Sequence, residues 1–178
     1  MTRTRLVFSG SGGQGVITAA IILAEAAVLH EHLNAVQSQD YGAEARGGAT
    51  RSDVIISDTD IFYPKVVQPN ILVCLTQSAY SKYRSIIRPG GLLLTDSRFV
   101  SLEKKVDAHQ EQLPIWESVM AEIGNPVVFN ICMLGALIER TGLVSPGAIL
   151  KVLETRIAAS LMEINRQALD LGMRLVSQ

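Results

Sequence analysis

A short apolar run, Leu6 to Ser9, halts at four glycines within six residues. It gives way at once to fourteen almost unbroken apolar or small residues, VFSGSGGQG being followed by VITAAIILAEAAVL. No other stretch constrains the fold as much. An apolar run that short, stopped by glycine, reads as a strand. Val16 to Leu29, apolar on nearly all sides with small residues spaced through it, reads as a helix packed against a sheet. Gly10-x-Gly12-x-x-Gly15 also fits the dinucleotide-binding fingerprint in its proper context, a strand before and a helix after. Glycines there allow a tight turn and let backbone amides approach a pyrophosphate, and a helix starting near Gly15 adds partial positive charge. The same glycines would equally serve close packing of the helix on the sheet, so the loop alone leaves both readings open.

The rest of the chain repeats the theme. Leu33 to Ser38, Thr50 to Ser57, Ile71 to Leu75 and Leu92 to Thr95 read as further strands, the last introduced by the turn Pro89-Gly90-Gly91. Ser78 to Ile87 is an amphipathic helix between two of them. Ile131 to Thr141, Pro146 to Leu153 and Ser160 to Leu171 form a helical tail, with Ser145-Pro146 as an N-cap and first-turn pair. One connection breaks the alternation: only Asp40 to Ala49 separates the second and third strands, whereas a parallel crossover needs about a dozen residues or more. Those strands are not expected as adjacent parallel neighbours, which allows a mixed sheet. The expectation is α/β: a three-layer Rossmann-like sheet, parallel or mixed, with helices on both faces and a helical C-terminal tail, residues 1–178 forming a single domain.

Composition excludes several functions. A formal charge of −1 and a pI near 6.3 give no electrostatic case for nucleic acid or for an anionic membrane. No apolar run reaches the roughly 20 residues that span a bilayer. Met1-Thr2-Arg3-Thr4-Arg5 leads straight into a strand-like run without a signal-peptide pattern, so a cytoplasmic location is expected. Cys74 and Cys132 lie far apart in apolar stretches and are expected as buried, unreactive thiols. An iron–sulfur cluster needs about four thiolates, and a structural zinc about four ligands. His30 and His32 point to different helix faces and His109 stands alone, so no metal site is expected. No Lys-Ser or Lys-Thr pair follows the glycine loop, which excludes a Walker-type hydrolase. Asp40 is the nearest candidate for the ribose-holding acid of the fingerprint, but it opens a different motif.

That motif is Asp40-Tyr41-Gly42-Ala43-Glu44-Ala45-Arg46-Gly47-Gly48. It places three glycines, an aromatic, two carboxylates and an arginine where binding loops tend to lie, after a strand. GSGGQG opening a small-residue helix, then DYGAEARGG, then RSDVIIS, resembles the gamma subunit of 2-oxoacid:ferredoxin (or acceptor) oxidoreductases of the pyruvate, 2-oxoglutarate and ketoisovalerate type. The likeness continues through Asn130, Leu134-Gly135-Ala136 and a last helix bearing Asn165, Ala168, Leu169 and Gly172.

The resemblance implies a non-catalytic subunit of an oxidoreductase complex that oxidatively decarboxylates a 2-oxoacid to an acyl-CoA, contributing to coenzyme A recognition and to assembly. CoA would be a co-substrate. Thiamine diphosphate and the iron–sulfur clusters would belong to partner subunits or domains, the partners being alpha and beta subunits, with a delta subunit in some complexes, and ferredoxin or a similar carrier would take the electrons. The isolated chain would be inactive and open to self-association. By the same resemblance Gly10, Gly12, Gly13, Gln14 and Gly15 face the CoA pyrophosphate, and Arg46 and Arg51 are the cations for its phosphate oxygens. Tyr41 and Glu44 shape the pocket or meet a partner. No catalytic residue is assigned. The alternatives are a stand-alone dinucleotide-binding oxidoreductase and a purely structural subunit.

Overall fold

The computed structural model describes residues 3–40 and 49–177. The elements run β1 (Thr4–Gly10), α1 (Val16–His30), β2 (Asn34–Asp40), β3 (Thr50–Ser57), β4 (Ile71–Cys74), α2 (Gln77–Tyr83), β5 (Gly91–Asp96), β6 (Ala108–Leu113), α3 (Ile115–Glu122), α4 (Phe129–Thr141), α5 (Pro146–Arg156) and α6 (Met162–Val176). The six strands form one sheet in the order β2-β3-β1-β4-β5-β6. β1, β4, β5 and β6 are parallel, while β3 lies antiparallel to both β1 and β2. The sheet is therefore mixed. The short second connection is accommodated because β2 and β3 are adjacent but antiparallel, with Asp40 opposite Arg51.

Two elements were not expected from sequence, β6 and α3. β6 (AHQEQL) lies at the sheet edge and lacks the apolar alternation that marks a half-buried strand. It is fixed by pairing with β5 and by side-chain amides: Gln112 Nε2 donates to the Val100 carbonyl, and Gln110 Oε1 accepts from the Tyr80 hydroxyl at 2.8 Å.

Side-chain alternation divides the core. Leu6, Phe8, Val54 and Ile56 face a thick layer made by α1 and α3 to α6. Val7, Ile55, Leu72 and Leu93 face the other way, onto Ala79 and Tyr80 of α2 and onto Val66 and Val100 from connecting segments. In the thick layer α4 and α6 cross at backbone contact. A Cβ on Gly135 would overlap the Leu169 carbonyl oxygen, and one on Gly172 would overlap the Cys132 carbonyl oxygen. Ser145 caps α5 as its sequence implies, its hydroxyl accepting from the Ala148 amide.

Candidate functional site

The chain leaves β1 toward β2 and β3 on one side, then resumes at β4 on the other. In an open α/β sheet this switch in direction leaves a crevice beyond the carboxyl ends of the two central strands. Residues 10–15 lie at the carboxyl end of β1, and Leu75 and Thr76 follow β4. Gln14 bridges the two. Its Oε1 accepts the Ser11 amide at 2.8 Å, and its Nε2 donates to the Leu75 carbonyl at 3.1 Å. The side-chain amide is thus turned inward as a tie across the crevice.

Three of the four loop glycines answer to the fold itself. A Cβ on Gly10 would stand 2.5 Å from Gln14 Oε1. Gly13 and Gly15 have φ of 88° and 71°, which disfavours other residues. Gly15 also meets Asn130 of α4, whose Nδ2 donates to its carbonyl at 3.3 Å. Gly12 differs. It is exposed, its φ is not positive, and nothing lies within 4 Å of where a Cβ would stand. Neither packing nor backbone angle requires glycine there.

Behind the loop, α1 begins with Gly15 as its N-cap, without a side-chain cap and without an acidic residue in its first turn. Its first amide groups and the helix dipole supply partial positive charge with no carboxylate from that turn to cancel it. The second motif starts and returns at the same end of the sheet. Thr50 pairs with Gly10, Arg51 with Asp40, and the buried Ser9 hydroxyl donates to the Thr50 carbonyl at 2.9 Å. Tyr41, Glu44 and Arg46 lie outside the described residues.

Arg51, expected as a phosphate partner, is engaged elsewhere. Its Nε and one terminal nitrogen donate to both Asp53 carboxylate oxygens at 2.6 and 3.0 Å, and it also donates to the Val66 carbonyl. The guanidinium lies 5.4 Å from the Tyr83 ring centre, on the α2 side of the sheet. The signal was readable: residues two apart on a strand share a face, so Arg51 and Asp53 were placed to pair. Asn130, by contrast, reaches the loop from 115 positions away, and only the tertiary fold brings it there.

Both cysteines are buried. Burial raises the Cys74 thiol well above its ordinary range and pushes Cys132 up to about 12. Among the described residues no cluster of three or more His, Cys, Asp or Glu could hold a metal ion, and no helix is long and apolar enough to cross a membrane.

Residues 5–175 match the family model described as pyruvate ferredoxin/flavodoxin oxidoreductase. The chain is similar to the 2-oxoglutarate synthase subunit KorC of Methanocaldococcus jannaschii, at 43% identity over 99% of this chain and 95% of that one. Its fold is similar to that of a keto/oxoacid ferredoxin oxidoreductase gamma subunit from Geobacter sulfurreducens, with a TM-score of 0.88, 38% identity and 98% of each chain covered. A 2-oxoglutarate:ferredoxin oxidoreductase from Magnetococcus marinus, with 2-oxoglutarate, coenzyme A and succinyl-CoA bound, shares the fold at a TM-score of 0.88 and 20% identity over 99% of this chain and 31% of that one. The chain belongs to the pyruvate ferredoxin/flavodoxin oxidoreductase family, as a gamma-type subunit.

Proposed function

We propose that this gamma subunit serves a complex that converts a 2-oxoacid to an acyl-CoA, and that its glycine loop receives the pyrophosphate of coenzyme A. The observation that carries the reading is Gly12, a glycine that the fold does not need, held in the open above an uncapped helix N-terminus at the sheet's switch point. A ligand oxygen approaching the backbone to hydrogen-bond distance, about 2.9 Å, supplies the missing reason for the absent side chain. Arg46 is the cation assigned to the phosphates, and Tyr41 and Glu44 shape the pocket or meet a partner. Arg51, already paired with Asp53, is left out of the phosphate contacts. Thiamine diphosphate and the iron–sulfur clusters fall to partner subunits, and ferredoxin or a similar carrier accepts the electrons. Two buried cysteines in the whole chain fit that division, since one cluster takes about four thiolates.

The test separates fold from recognition. Gly12→Val is expected to leave the melting temperature and assembly unchanged while raising the Michaelis constant of the complex for CoA roughly tenfold or more. Arg46→Ala is expected to cost about 1.5–3 kcal/mol of CoA binding, the range of a hydrogen bond to a charged group. If both variants assemble and keep the wild-type constant for CoA, the loop serves packing alone. Titration of the chain with NAD addresses the stand-alone oxidoreductase, for which no binding is expected.

A further inference from the structure

On the α2 side of the sheet, the segment 58–70 crosses the strands that α2 does not cover, with Val66 buried against them. Beside it lies an open hollow of about 640 Å³ lined by Arg5, Tyr63, Lys65, Val67, Gln68, Arg88 and Pro89. None of these residues is a carboxylate. The side chains of Arg5, Lys65 and Arg88 form no ion pair with a described residue. A second hollow of about 340 Å³ shares Tyr63, Lys65 and Val67 and continues to Ser38 and Gln39 of β2; its one charged pair, Arg51 and Asp53, is internally neutral. Together they form a continuous groove rather than a closed pocket. Apolar side chains along it stand in water: Val67 is 71% exposed and Tyr63 63%.

We infer that this groove docks an extended acidic segment, bearing apolar side chains, of a partner subunit. The inference rests on the reading of the chain as one subunit of a complex. Three cations without an ion pair among the described residues, and no carboxylate among the lining residues of the first hollow, select a negative occupant. The continuation of one hollow into the other and the exposed Tyr63 and Val67 select a polypeptide over a compact anion, since aromatic and arginine side chains anchor protein interfaces. The first hollow is separate from the glycine loop, since Arg5 precedes Gly10 by five strand residues, about 17 Å, whereas the second reaches toward the loop's end of the sheet, where Arg51 lies opposite Ser9.

Zero-length carbodiimide cross-linking of the purified complex joins a lysine amine to a carboxylate in contact with it. Lys65 is expected to be linked to an Asp or Glu of another subunit. Lys65→Glu combined with Arg88→Glu is expected to raise the Kd for the remaining subunits at least about tenfold. The melting temperature of the chain and the Michaelis constant for CoA of whatever assembles should not change, and Lys65→Arg should assemble as the wild type. Unchanged affinity of the double variant overturns the inference, as do Lys65 links confined to this chain or to a second copy of it. Loss of CoA binding with assembly intact would make the groove a nucleotide site and overturn it too. If the wild-type chain joins no complex, the subunit reading falls with it; if it joins and the groove variants are silent, only the groove assignment falls.

Discussion

At the scale of single residues, Gln14 and Gly12 sit two positions apart and answer to different demands. Gln14 uses both ends of its amide within the fold, whereas nothing lies within 4 Å of where a Cβ on Gly12 would stand. Gln14→Ala removes the acceptor of the Ser11 amide and the donor to the Leu75 carbonyl. The expected loss is about 1–3 kcal/mol, read as a fall in melting temperature of roughly 2–4 °C per kcal/mol for a chain of this length. Gln14→Glu keeps the acceptor but sets an anion against the Leu75 carbonyl, so it should be no better tolerated. A variant as stable as the wild type would show that the crevice is not tied by this side chain. The glycine spacing was legible in the sequence because a turn is a local event. The inward turn of Gln14 was not, because its partner Leu75 lies 61 residues on.

Elements show the same division between local and distant causes. β1, α1 and β3 announce themselves through apolar runs and glycine punctuation, and the ten residues of the second connection led correctly to a sheet that is not wholly parallel. β6 and α3 did not, the first because its inward contacts are made by glutamine amides, the second because eight residues are too few for a clear helical stripe. Gly135 and Gly172 stand out in the sequence only through the family resemblance, while their physical role is the crossing of α4 on α6. Helix propensity alone would have alanine stabilise an exposed helical position by up to about 1 kcal/mol relative to glycine. Here Gly172→Ala must displace the Cys132 carbonyl, and the expected change is a loss of about 1–3 kcal/mol or more. Urea unfolding decides the sign. A midpoint that rises would mean the helices separate freely and the contact is not close.

At the scale of the whole molecule, five of the six α-helices among the described residues crowd one face of the sheet, leaving α2 and connecting segments to cover the other. The thin side carries the groove with its exposed Tyr63 and Val67, and the switch point opens at the carboxyl ends between the two layers. The two recognition roles proposed above, for a ligand and for a partner, thus fall on one sheet, the first at its end and the second on its thin face. The antiparallel strand β3, set between β2 and β1, also orders events in time. β2 and β3 can pair by closing a loop of about ten residues, whereas β1 must close some forty to reach Thr50 from Gly10. On the logarithmic cost of loop closure the hairpin is favoured by roughly 1 kcal/mol, so it is expected to form first and β1 to zip onto it afterwards. Val36→Ala in the hairpin should then slow refolding, whereas Gln14→Ala should chiefly speed unfolding, a contrast that stopped-flow measurements in urea would read directly. Equal effects on the refolding limb would put β1 in the nucleus. With the expected contrast, the crevice at the switch point closes after the hairpin beside it and opens before it.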